Sequence, residues 1–258
     1  LGRVRCTGFA GENWFPWARG VTVSVGADSP MTCTFTDTPS GPPLDHVTHL
    51  DGDEQRTCAV TSPGGLWCWG AGGLGDGTSG SSDVARPVPD PGGGGPVADA
   101  EQVSAGRYRT CYRRTGGQVR CWGTGVLGDG TDASSLTPVT VSAPSGGGPL
   151  TDAVDVAVGE SHACAVLAGG QARCWGVNDH AQLGDGTRTT RYRPVVVSDP
   201  TGTGPLTDVV QIDAGRYHTC ARLGSGQVRC WGAGPLGDGS ATTGIDALRP
   251  VVVSDPAG

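Results

Sequence analysis

The sequence predicts an all-β fold: a β-propeller-like array of four-stranded blades, about five repeat units of roughly 53 residues, open or completed by another chain. Three observations predict it. A Cys-Trp-Gly block recurs as CWGAGGLGDGTSG from Cys68, CWGTGVLGDGTDA from Cys121, CWGVNDHAQLGDGTRT from Cys174 and CWGAGPLGDGSAT from Cys230, at intervals of 53, 53 and 56 residues. Each unit holds about four short apolar stretches bounded by turn residues, the pattern of a propeller blade. No segment carries a sustained helical period.

The elements follow in order along a single repeat domain, 1–258. Residues 1–8 read as a partial blade, in which CTGFAGENW from Cys6 is a worn fifth copy, and 9–43 as a divergent insertion. Blades follow at 44–97, 98–150 and 151–206, and 207–258 is a blade ending incomplete. A strand such as VVQIDAG (Val209–Gly215) leads into a hairpin opened and closed by Cys: CAVTSPGGLWC, CYRRTGGQVRC, CAVLAGGQARC and CARLGSGQVRC. After the LGDG block, a last strand begins RPVPD at Arg86, TPVTV at Thr137, and RPVVV at Arg193 and Arg249. The sequence begins midway through a unit and stops at VVVSDPAG, so strands from a neighbour are one way to complete the array. Exposed strand edges are templates for such pairing.

Composition narrows the function classes. Gly (46) and Pro (19) make about a quarter of the 258 residues, which fits many turns around a Val-, Trp- and Cys-containing core. The net charge of −7, with 18 scattered Arg and no Lys, argues against nucleic acid as a partner. No run approaches the 18 or so apolar residues of a membrane span. The opening LGRVRC is neither an initiator Met nor a signal peptide, so the chain reads as processed or cut from something longer.

The cysteines carry the clearest chemistry. Cys58/Cys68, Cys111/Cys121, Cys164/Cys174 and Cys220/Cys230 are each ten residues apart around a Gly-containing loop. In a symmetrical hairpin such partners face each other within disulfide reach. Zinc sites favour Cys two to four residues apart with a second pair nearby, which this pattern lacks. Bridged cysteines imply an oxidising compartment, hence an extracellular or cell-surface protein. Cys6 and Cys33 remain, either bridged to each other or bonded to another chain. Trp14, Phe15 and Trp17 lie in the non-repeating segment and are the candidate interface anchors.

Catalytic and cofactor readings fare poorly. GAGGLG (Gly70–Gly75), GTGVLG (Gly123–Gly128) and GAGPLG (Gly232–Gly237) all satisfy the G-x-G-x-x-G spacing of dinucleotide-binding loops. Each runs into Asp-Gly at the same place in its unit, without the helix N-terminus that holds a pyrophosphate, so no cofactor is expected. His162 and His218 fill a position held by Arg56 and Arg109 in other units, which suits packing better than catalysis. His46, His49 and His180 lie in connectors without metal-ligand spacing. Gly159-Glu160-Ser161-His162 sets Ser beside His but lacks the glycine and helix of a nucleophile elbow. Asp51–Glu54 (DGDE) lacks the spacing of a calcium loop and reads as a solvated turn, while Trp69, Trp122, Trp175 and Trp231 read as inter-blade core.

The recurring order V-x-A-G-x-x-H-T-C-A-V, G-x-V-x-C-W-G, G-Q-L-G-D-G-T and P-V-x-V resembles the regulator of chromosome condensation repeat, in a bacterial-type secreted form with disulfide-clipped hairpins. The fullest match is Val156–Thr187, where Gln182-Leu183-Gly184 stands for the Gln-Leu-Gly landmark; the other units shorten that loop. The resemblance covers nearly all of the chain except roughly 9–43, and implies a β-propeller, commonly of seven blades. Functions within it range from guanine-nucleotide exchange to inhibition of secreted enzymes. The sequence therefore reads as a non-enzymatic extracellular binding or scaffolding propeller, presenting loops to a protein or surface partner. The alternative is a structural subunit of an extracellular polymer or surface layer that assembles by strand exchange; a secreted-enzyme inhibitor or nucleotide-exchange-like module is a minor one. Partners are a protein or copies of the chain itself, with no nucleic acid, no membrane span and no small-molecule ligand.

Overall fold

The computed structural model describes residues 42–240 and 246–255, together with the backbone of three strands nearer the N-terminus. The chain divides into two compact units, Leu1–Leu44 and Asp45–Gly258. In the first, β1 (Arg3–Thr7) lies between β2 (Asn13–Phe15) and β3 (Thr32–Thr36), antiparallel to both. The register sets Cys6 opposite Cys33 and Arg5 opposite Trp14. The side chains of Cys6, Cys33, Trp14 and Phe15, and the whole of Trp17, lie outside the described residues.

The second unit is four four-stranded antiparallel sheets, each a meander in chain order. The first blade is β4 (Val47–Gly52), β5 (Arg56–Thr61), β6 (Gly65–Gly70) and β7 (Ser82–Pro87). The second is β8 (Ala100–Ala105), β9 (Arg109–Arg114), β10 (Val119–Gly123) and β11 (Ser135–Thr140). The third is β12 (Ala153–Val158), β13 (His162–Leu167), β14 (Ala172–Gly176) and β15 (Arg191–Val196). The fourth is β16 (Val209–Ala214), β17 (His218–Leu223), β18 (Val228–Gly232) and β19 (Ala247–Val252). The unit at 207–258, read from sequence as incomplete, thus has all four strands. Every described blade draws its strands from one continuous stretch, so none of them needs a strand exchanged from another chain.

The local chemistry explains the order within a blade. Strands two and three form the hairpin in which Cys58 faces Cys68, Cys111 faces Cys121, Cys164 faces Cys174 and Cys220 faces Cys230. All four pairs are disulfide-bonded, with Cα atoms 4.0–4.1 Å apart. The fourth strand carries Pro87, Pro138, Pro194 or Pro250 and is the edge of its sheet. Proline cannot donate to a further strand, so it belongs on an edge and blunts it against unwanted pairing.

The cores lie between blades rather than within them. Val60, Leu66, Leu74 and Val88 of the first blade pack with Val103, Tyr112 and Trp122 of the second. Val119, Leu127 and Val141 meet Val156, Ala165 and Trp175 across the next junction, and Val166, Leu183 and Val197 meet Ile212 and Trp231 across the last. Trp122, Trp175 and Trp231 are wholly buried. Each lies on a glycine of the preceding blade's LGDG loop: a Cβ added to Gly75 would sit 2.8 Å from Trp122 Cε2. The repeated glycine is thus the socket for the next blade's tryptophan.

Candidate functional site

The turns joining strands one and two sit side by side at one end of the four-blade unit. Each is closed by the same main-chain bond: Asp53 N to Arg56 O, Gly106 N to Arg109 O, Gly159 N to His162 O and Gly215 N to His218 O, at 2.9–3.0 Å. With the frame fixed, the two central residues are free to vary. They are Glu54-Gln55, Arg107-Tyr108, Glu160-Ser161 and Arg216-Tyr217.

Neighbouring turns are stitched together. Arg56 Nη2 donates to Arg107 O at 2.9 Å, and Glu160 N donates to Gly215 O at 3.3 Å. Glu160 lies between two cations, with its Oε2 2.7 Å from Arg216 Nε and 3.8 Å from Arg107 Nη1. Each Arg also covers the ring of the Tyr that follows it: Arg107 over Tyr108 at 5.4 Å and Arg216 over Tyr217 at 4.8 Å. Two Arg-Tyr pairs therefore flank one carboxylate on an otherwise acidic protein.

The two Tyr have different neighbours. The longer loop of the third blade brings His180 to 4.5 Å from the Tyr217 ring. Asn178 holds that loop, donating from Nδ2 to Thr187 O at 3.0 Å and accepting from Leu183 N at 3.0 Å. The first blade has the shortened loop, and beside Tyr108 it leaves an open cleft of about 430 Å³ lined by Gln55, Arg107, Thr124, Ser134 and Leu136. Tyr108 remains 39% exposed there.

Below the turns lies a row of buried polar plugs. Arg56 Nη1 reaches Gly73 O, Arg109 Nη1 donates to Val126 O, and His162 Nε2 lies 2.8 Å from Thr219 Oγ1. Burial lowers the Arg109 pKa to about 10. Burial, reinforced by the nearby Arg109 guanidinium and the His218 ring, lowers that of His162 to about 3 and keeps the ring neutral. His162 is thus a structural link between the third and fourth blades, and Ser161 beside it occupies a solvent-side turn. Asp51, placed in a solvated turn by the sequence, instead accepts from Ala105 N of the next blade at 2.9 Å. Asp76, Asp129, Asp185 and Asp238 of the LGDG loops each accept from the Thr or Ser two residues on. Among the described residues no group of three or more His, Cys, Asp or Glu is placed to hold a metal ion. No described helix is long and apolar enough to cross a membrane.

The Arg-Tyr turns were not singled out from the sequence. The signal was present: AGRY recurs at 105–108 and 214–217 where the third blade has VGES. The repeat pattern does not mark them, because only the fold sets Arg107, Glu160 and Arg216 side by side.

Two profiles, both described as "Regulator of chromosome condensation (RCC1) repeat", match the chain. One covers 116–166 and 170–222, the other 100–128, 153–182 and 209–237. The human E3 ubiquitin-protein ligase HERC2 is 30% identical over 174 residues, which are 65% of this chain and 3% of that protein. The crystal structure of human WBSCR16 superposes with a TM-score of 0.65 at 23% identity, covering 83% of this chain and 55% of that one. Prp20p from Saccharomyces cerevisiae, a structure described with its binding properties to Gsp1p and histones, gives 0.61 at 20% identity, covering 80% and 50%. The chain thus spans about half the length of these two structures and a small part of HERC2.

Proposed function

The chain belongs to the regulator of chromosome condensation (RCC1) repeat family, and on that premise we propose that it is a non-enzymatic module that binds a protein partner in an oxidising, extracellular compartment. The observation that carries the reading is the pair of Arg-Tyr turns, Arg107-Tyr108 and Arg216-Tyr217, around Glu160. Arg and Tyr are the residue types most often energetically dominant at protein interfaces. Here they sit on rigid, stitched turns, so little ordering entropy is lost on binding. Prp20p, with the same fold, is described as binding Gsp1p and histones, which supports a protein as the class of partner. The Arg pair favours a partner that brings acidic groups beside an apolar or aromatic one.

Two features support the rest. Four hairpin disulfides favour an oxidising compartment, because cytosolic thiols are kept reduced. Two of the polar side chains beneath the turns are committed to structure: His162 is buried against Thr219, and Arg109 against Val126. HERC2 is a ligase, but the resemblance reaches only 3% of it.

The test compares proteins retained from the secreted fraction of the source by the wild-type chain and by Arg107→Glu/Arg216→Glu. A partner held by the wild type and by a control altered at the opposite hairpin end, Ser225→Arg, but lost by the double variant, is the expected result. Equal retention by all three would overturn the assignment of this face.

A further inference from the structure

The junction of the first and second blades and that of the third and fourth share one frame around the loop that precedes LGDG. At the start of the loop Ala71 N donates to Gln55 O at 2.7 Å, and Val177 N to Ser161 O at 2.9 Å. At its end Trp122 Nε1 donates to Gly73 O at 3.0 Å, and Trp231 Nε1 to Gln182 O at 2.9 Å. On the facing wall Thr124 N donates to Tyr108 O at 2.7 Å, and Ala233 N to Tyr217 O at 2.8 Å. Within this frame the loops differ in length: 177–182 holds six residues where 71–73 holds three.

The longer loop shows what the space takes. His180 stands 4.5 Å from the Tyr217 ring while Arg216 covers the same ring at 4.8 Å, and Tyr217 is half-buried. His180 Nδ1 lies 3.7 Å from Asp246 Oδ2, which also pairs with Arg188. The shorter loop removes the ring and leaves its seat: Arg107 covers Tyr108 in the same way, and Tyr108 is exposed. The carboxylate is absent as well. Asp246 precedes Ala247, the strand partner of Gly232; the residue preceding Ser135, the strand partner of Gly123, is Ser134. None of the described residues lining the cleft is acidic, and Arg107 brings a positive charge. The second-to-third junction has the short loop but presents Glu160-Ser161 in place of Arg-Tyr, so it offers no ring. Both walls of the cleft belong to consecutive described blades, so it is not an end of the array.

We propose that the cleft beside Tyr108 receives an aromatic side chain of the partner protein, in the place that His180 fills from within the chain, with an acidic residue next to that ring held by Arg107. This rests on the reading of the Arg-Tyr turns as the binding face and names what the partner brings there. The incoming ring pairs with Tyr108, an arrangement that favours centroids about 4.5–7 Å apart. Tyr217 shows that such a tyrosine carries an arginine and a second ring together. Charge selects the flanking residue. A cationic segment would meet Arg107 without the carboxylate that Asp246 gives His180 and Arg188, whereas an acidic one complements it.

Nuclear magnetic resonance titration of the 258-residue chain with the peptide acetyl-Glu-Trp-Glu-Gly-amide tests it. Saturable binding is expected, weakened at least about tenfold when the peptide carries Ala in place of Trp, and likewise when it carries Lys in place of both Glu. A graft fills the cleft from within: replacing residues 71–73 by the sequence of 177–182, VNDHAQ, should weaken the Trp peptide at least about tenfold. Should the graft misfold, Tyr108→Ala and Ser134→Asp, both at exposed positions, should each weaken binding, and Ser225→Arg should not. Absence of saturable binding, or binding that the graft and Tyr108→Ala leave unchanged, would overturn the proposal. So would a Tyr108 ring protected from nitration in the free chain, the sign of a cleft already filled by another part of the same chain. A partner retained by the graft but lost by Arg107→Glu/Arg216→Glu would overturn the role of the cleft and leave the Arg-Tyr face assigned.

Discussion

The indole Nε1 of Trp231 donates to the carbonyl oxygen of Gln182 at 2.9 Å, tying the fourth blade to the loop of the third. Trp122 repeats the bond with Gly73 O at 3.0 Å. Trp175 does not: the matching carbonyl, Val126 O, accepts from Arg109, and the Trp175 indole nitrogen is buried without a partner. Replacing each Trp by Phe should therefore separate the three sites. Trp122→Phe and Trp231→Phe lose packing and a hydrogen bond worth about 1 kcal/mol, whereas Trp175→Phe loses packing and removes an orphaned donor. Urea unfolding should find Trp175→Phe less costly by about 1 kcal/mol or more, and three equal losses would refute the ranking.

The buried His162 makes stability depend on pH. Its pKa falls from 6.5 to about 3 on folding, so the unfolded chain binds the extra proton between those values. Its contribution is complete above pH 6.5 and declines as pH is lowered towards 3, by up to about 1.4 kcal/mol per pH unit. The upper part of that window, about pH 5 to 6.5, lies above the range of ordinary carboxylates. Denaturation midpoints of the wild type should fall across it, and His162→Gln should flatten the slope there.

The glycine sockets should be selectively intolerant. Gly75 has φ +85° and Trp122 2.8 Å from the place of a Cβ, whereas Gly72 has φ +69° and nothing within 4 Å. Gly72→Ala meets only the left-handed backbone penalty of about 1–2 kcal/mol. Gly75→Ala adds overpacking against a wholly buried ring, typically about 1–3 kcal/mol more. Thermal melts of the two variants give the comparison.

The disulfides should open in order of exposure. Cys58, Cys68, Cys111, Cys121, Cys164 and Cys174 are fully buried, whereas Cys230 is 4% exposed and Cys220 is half-buried on the end blade. Under mild native reduction, Cys220 and Cys230 should be alkylated first in mass spectrometry. Each lost bridge closes a loop of about ten residues and should cost about 2.5–3 kcal/mol in the chain-entropy view.

The repeat made the architecture legible. Four hairpins, four proline edge strands and the inter-blade Trp could be read from sequence because every blade solves the same packing problem with the same residues. The function of Asp51 could not, since its hydrogen-bond partner Ala105 lies 54 residues away in the next blade. Nor could the completeness of the fourth blade, because the sequence does not show that the Pro250 strand, Ala247–Val252, is the last of four strands in one sheet. The Arg-Tyr face was hidden for a different reason. Its meaning comes from placing Arg107, Glu160 and Arg216 side by side, and those are 53 and 56 residues apart in the chain.

Hydrogen exchange of the chain, alone and saturated with the partner it retains, tests the binding face most directly. Protection should concentrate at the turns around Arg107-Tyr108, Glu160 and Arg216-Tyr217. Protection confined to the opposite hairpin ends, near Gly64, Gly117, Gly170 and Gly226, would contradict it.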